Sequence, residues 1–199
     1  MKAHEKKALV NLYESRYVKL GYDIKTVGWG SLDSQLLRFK ILGEIGELSG
    51  ASVCDIGCGF GDFYPYLIKS FGAVNYTGVD IGDKLIEEAA CQYPEAQFTV
   101  CDILETPLNQ TFDYTFCSGA LNYQIEDNEA YIEKMLEKMF SFSTRGIAVN
   151  FLSSYVDFES DKNYHLPPEV AFKMAQKLSR HVTIRHDYPL YEYTLYVYR

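Results

Sequence analysis

Three acids and three glycines carry the chemistry legible in this chain. In "SVCDIGCGFGDF" (52–63), Gly57, Gly59 and Gly61 alternate directly after an apolar, β-like run, with Asp55 just before them. Glycine has no Cβ, so such a turn leaves a path where a ligand lies against bare backbone. Asp80 ends the next apolar run, where a carboxylate can accept both hydrogen bonds of a ribose diol. Asp102 ends the third run, where it could accept from an adenine amino group. Asp55 and Asp62 set negative charge around the turn, which suits a pyrophosphate badly, since that group wants uncancelled N–H donors and a helix dipole. The pattern points to an adenine nucleoside without phosphates, one able to carry positive charge. Asp62 also reads as a helix cap, and Asp80 or Asp102 alone could be an ordinary turn residue. Three acids at three successive strand ends beside one glycine turn argue against coincidence.

These residues must be held by regular elements. Runs at 51–56, 74–81, 96–101, 112–117 and 146–152 read as strands, with helical segments near 62–71, 83–92 and 128–142 between them. Repeated strand-helix-strand order with short links makes an α/β fold, a parallel sheet covered on both faces. A helix at 167–178 opens on prolines. It precedes "HVTIRHD" and "YEYTLYVYR", whose short separation allows only antiparallel pairing. Ahead of the sheet, 3–20 reads as an amphipathic helix bearing Leu9, Leu12, Tyr13 and Tyr17, and 32–48 as a second helix. One domain over 1–199 is expected, with the helix and loop of 1–30 as a lid.

Composition narrows the function. The 199 residues carry a formal charge of −8 with Lys and Arg scattered, so no basic footprint for nucleic acid is visible. The 17 Tyr and 12 Phe supply rigid pocket-lining surface as readily as strand packing. Cys54, Cys58, Cys91, Cys101 and Cys117 show no CxxC pairing, so no metal site is expected and a reducing, cytoplasmic setting follows. The first residues lack a secretory pattern, and no run approaches a membrane span.

"VCDIGCGFGDF", "TGVDI", "VCDI" and "FDYTFCSGALN" resemble the successive motifs of class I S-adenosylmethionine-dependent methyltransferases. The resemblance covers about 30–199. It implies a Rossmann-like, seven-stranded, mostly parallel sheet in order 3-2-1-4-5-7-6, the last strand antiparallel, and S-adenosylmethionine as cofactor. It implies that Asp55, Gly57, Cys58 and Gly59 meet the methionine part. Asp80 would hold the ribose hydroxyls with Ile81 on the adenine. Asp102 would take the adenine amino group with Ile103 alongside, and Cys117 and Ser118 would approach the methionine amino group and the sulfonium. Gly61 is expected to serve packing. Ser31, Ser34, Gln35 and Arg38 form one polar stripe on the second helix. For the first three a solvated face is expected, while "GWGSLDSQLLRF" looks like the segment in which small-molecule members set an arginine on the cofactor carboxylate.

Methyl transfer is a displacement at an already activated carbon, so the protein's share is position and exclusion of water. No general base is obvious, and a neutral amine, a thiolate or a carboxylate needs none. Acceptor-side candidates are Trp29, Asn122, Tyr123 and His165, with Tyr155 and Tyr164 beside them and Tyr13 and Tyr17 in the lid. Only a short insertion, 153–165, follows the fifth strand. The expected function is therefore methyl transfer to a small molecule by a monomer or homodimer. The alternatives are a protein or RNA methyltransferase, or a non-catalytic S-adenosylmethionine-binding regulatory protein. An NAD-linked oxidoreductase fits worst, because Asp62 stands where its third glycine would fall.

Overall fold

The computed structural model describes residues 1–199. Its elements follow the chain as α1 (Ala3–Leu20), α2 (Leu32–Gly43), β1 (Ser52–Ile56), α3 (Phe63–Phe71), β2 (Asn75–Asp80), α4 (Asp83–Gln92) and β3 (Gln97–Val100). Then come β4 (Phe112–Ser118), α5 (Asn128–Phe142), β5 (Ser143–Leu152), α6 (Pro168–Gln176), β6 (Val182–Arg185) and β7 (Glu192–Tyr198). One seven-stranded sheet has the order β3-β2-β1-β4-β5-β7-β6. Pairings from β3 through β5 are parallel, whereas β7 runs antiparallel to both β5 and β6. The fold class and strand order expected above are those found. No helix is long and apolar enough to cross a membrane.

Alternating side chains divide the core between the two faces of the sheet. On one face Cys54, Ile56, Cys117 and Val149 pack against Ile132, Met135 and Met139 of α5 and Ala171 and Ala175 of α6. On the other, Val53, Tyr76, Phe116 and Tyr196 pack against Phe39 and Leu42 of α2 and Phe63 and Leu67 of α3. With both faces buried, the central strands read as nearly continuous apolar runs.

Two helices differ from the sequence reading, one in its end and one in its burial. α2 ends at Gly43, not near 48, and Glu44 and Ile45 turn back with N–H bonds to Ile41 and Leu42. Ile45 and Leu48 stay buried in the turn that follows, so the apolar spacing there marks core contact without helix. α1 has the expected limits, but only Leu9 of it is buried. Its apolar stripe faces a cavity, where Leu12 and Tyr13 form wall.

Candidate active site

The cavity lies at the carboxyl ends of β1, β2 and β4, where strand order reverses, the place an open α/β sheet leaves for ligands. Its volume is about 540 Å³, within the range of small-molecule sites. Gly57, Gly59 and Gly61 adopt φ of 71°, 55° and 75°, a left-handed turn closed to most side chains. At Gly57 a Cβ would also strike the Ala120 side chain, so the turn and the β4–α5 connection pack together only through glycine. Gly61 packs under Phe98, 2.6 Å from where its Cβ would stand, and does not line the cavity.

Asp80 is locked by the turn it serves. Its Oδ2 accepts from the Gly59 N–H at 3.0 Å and its Oδ1 from the Gly82 N–H at 2.8 Å. Burial pushes its carboxyl above the ordinary value, partly offset by these bonds. Each carboxylate oxygen keeps accepting capacity toward the cavity. Asp55 is 2% exposed, and its Oδ2 accepts from the Tyr76 hydroxyl at 2.7 Å. Burial raises it to about 7, against the lowering effect of that phenol. Asp55 Oδ1, Ser118 Oγ and Arg38 Nη1 are buried with no hydrogen-bond partner, and all three residues line the cavity.

Asp102 and Ile103 end the wall on the β3 side. Asp102 Oδ1 accepts from the Leu104 N–H at 3.0 Å, and Lys6 of α1 pairs with its Oδ2 at 2.8 Å. Lys6 ties the first helix across this end of the cavity, a contact between distant segments that spacing does not reveal. Cys58, Ile81, Trp29, Asn122 and Tyr123 also line the space. Asn122 Oδ1 accepts from the Leu152 N–H at 3.1 Å, which fixes the loop after β4 against β5.

Several expectations need correction. Cys117 is fully buried among core side chains and its thiol does not reach the cavity; strand alternation sends it to the α5 face while Ser118 opens onto the site. His165 is not in the wall, because its Nδ1 meets the Ser153 carbonyl oxygen at 2.8 Å and turns the ring into its own loop. Tyr17, Tyr155 and Tyr164 likewise stand outside, bound to Glu88, Glu169 and Glu129. Gln35 is 2% exposed, not solvated, and donates to Asp62 Oδ2 at 3.3 Å. Asp62 makes no cap for α3; its Oδ1 accepts from Tyr22 at 2.6 Å and so fastens the 21–31 loop to the glycine turn.

The sheet order and the cavity above the glycine turn define a Rossmann-like α/β ligand-binding domain. The family described as "Methyltransferase domain" matches residues 53–142. A Mycobacterium tuberculosis protein named "Putative methyltransferase Rv1506c" is 32% identical over 153 residues, 73% of this chain and 92% of that protein. Trans-aconitate 2-methyltransferase of Escherichia coli is 30% identical over 79 residues, 40% of this chain and 31% of the enzyme. The chain thus spans about a third of the length of that relative. Among solved structures, magnesium protoporphyrin IX methyltransferase of Synechocystis with bound SAH has a TM-score of 0.71 at 18% identity, over 98% of this chain and 99% of that one. The DhpI-SAH complex has a TM-score of 0.71 at 14% identity, over 98% and 96%. These two share the fold. The chain belongs to the class I S-adenosylmethionine-dependent methyltransferases.

Proposed function

We propose that this enzyme methylates a small-molecule acceptor, with S-adenosylmethionine held in the cavity above the glycine turn. The observation that carries the placement is the set of three orphaned buried polar atoms. Arg38 Nη1 offers a cationic donor, Asp55 Oδ1 an acceptor and Ser118 Oγ a hydroxyl. Burying such atoms unpartnered is costly, and together they complement an amino-acid zwitterion, carboxylate to Arg38 and ammonium to Asp55 and Ser118. Asp80 would hold the ribose hydroxyls, Ile81 and Ile103 would flank the adenine, and Asp102 would accept from its amino group. Gly57, Cys58 and Gly59 would form the floor.

When bound, S-adenosylmethionine supplies a methyl carbon made electrophilic by its sulfonium. The chain's own contribution is orientation and dryness. Leu12 and Tyr13 of α1, with Val27 and Trp29 of the next loop, wall the space and keep water out. Residues 1–30 act as its cover in this reading. Asn122 and Tyr123 flank the acceptor side and can orient it by hydrogen bonds, with no proton transfer required of them for an acceptor that is already nucleophilic.

A small acceptor is supported by the limited volume of the cavity and the absence of any basic track leading to it; its wall has three Lys or Arg side chains, Arg16, Arg38 and Lys162, against five acids. The named neighbours point the same way: one is a magnesium protoporphyrin methyltransferase and one relative a trans-aconitate methyltransferase. Incubation with methyl-labelled S-adenosylmethionine and a metabolite panel tests the reading. Label should enter a small molecule; label entering only protein or RNA would overturn it.

A further inference from the structure

Behind the orphaned guanidinium of Arg38 lies a closed ring of five residues from distant parts of the chain. The Arg38 guanidinium of α2 is in ionic contact with Glu192 at the start of β7. Glu192 Oε2 accepts from Asn150 Nδ2 of β5 at 2.9 Å. Asn150 Oδ1 in turn accepts from the Gly119 N–H, directly after β4, at 2.9 Å. A Cβ on Gly119 would stand 2.9 Å from the Trp29 ring. That ring lies under the Arg38 guanidinium at 4.6 Å, which closes the circuit by a cation–π contact.

Glu192 is 1% exposed and Asn150 fully buried. Burial pushes the Glu192 carboxyl above its ordinary value, and Arg38 opposes that rise. A buried pair of this kind contributes little net stability over apolar residues of equal volume. This one stands in the cavity wall, where Arg38 Nε faces Glu192 Oε1 and Arg38 Nη1 stays buried with no partner. Arginine presents five donors in a rigid fork, so a carboxylate on one side fixes where the others are offered.

We infer that Glu192 is a positioning residue for substrate binding, holding Arg38 so that its unspent donors receive the carboxylate of the cofactor's amino-acid tail. The assignment rests on the cofactor placement proposed above. It separates two ligands that share the adenosine part. S-adenosylhomocysteine has the carboxylate, whereas 5′-methylthioadenosine ends at the thioether and gives Arg38 nothing to bind.

Calorimetric titration of both nucleosides into wild type, Glu192→Gln, Arg38→Met and the double variant is the test. Glu192→Gln should weaken S-adenosylhomocysteine by at least about tenfold, the worth of one charge-assisted bond, and change 5′-methylthioadenosine by less than about twofold. The double variant should bind S-adenosylhomocysteine no more weakly than Arg38→Met alone, because Glu192 acts only through that arginine. Glu192→Asp, which keeps the charge but shortens its reach, should show the same selective loss and serves where the Gln variant does not fold. Unchanged S-adenosylhomocysteine affinity, equal loss for both nucleosides, or additive losses in the double variant would overturn the assignment. Wild-type binding of the two nucleosides is the separate test of the cofactor placement.

Discussion

The charge on Asp55 depends on what fills the cavity. Burial holds its carboxyl at about 7 in the folded chain, against an ordinary 3.8. Tyr76 lowers this value, and Asp80 and Asp62 add to the rise. The folded state therefore keeps a proton that the unfolded chain releases, so stability falls as pH rises between those two values and is level above them. Asp55→Asn should remove that slope in denaturant melts, and an unaltered slope would contradict the burial account. In the proposed site a ligand ammonium favours the ionised form, so S-adenosylhomocysteine affinity should fall by up to about tenfold per pH unit below about 7 and be flat in Asp55→Asn. Asp80→Ala should raise the same Kd by at least about tenfold, since two ribose hydroxyls lose a charged acceptor. Asp55, Asp80 and Asp102 were legible because each closes one of three successive apolar runs, and all three come to the cavity wall. Glu192 was not, because Asn150 reaches it only through β7 pairing with β5 and Arg38 only through α2 packing on the sheet. His165 was read into the site for want of its Ser153 contact.

At the scale of elements, strands and helices followed apolar alternation and turn residues closely, with α1, α4 and α5 found at the limits expected. Position relative to the core was harder to read. The spacing of Leu9, Leu12 and Tyr13 looks like a core stripe, yet α1 packs mainly over the site, held by Lys6 on Asp102 and Glu105 and by Tyr17 on Glu88. In the proposed role of a cover, its contacts are polar and partly exposed. Lys6→Ala should cost under about 1 kcal/mol in a thermal melt, the scale of a partly exposed pair. It should also speed dissociation of S-adenosylhomocysteine several-fold in stopped-flow fluorescence. An unchanged off-rate would mean that α1 does not close over the ligand.

For the whole molecule, the residues alone indicate an open parallel sheet ending in an antiparallel hairpin, and the family resemblance adds the full strand order. The core rests on α5 as much as on any helix: Met139 is fully buried between it and the sheet. Met139→Ala should cost about 2–5 kcal/mol, because the cavity left behind cannot fully collapse. The acceptor was not legible, since in the proposed site it faces the loops after β4 and β5 and the segment before β1, which come together only in the fold. The central claim is narrower, that the space above the glycine turn is shaped for an adenosine bearing an amino-acid tail and not for a dinucleotide. Isothermal titration of the wild-type protein with S-adenosylhomocysteine and with NAD tests it most directly. The account predicts saturable one-to-one binding of S-adenosylhomocysteine and no heat from NAD; NAD binding with S-adenosylhomocysteine silent would contradict it.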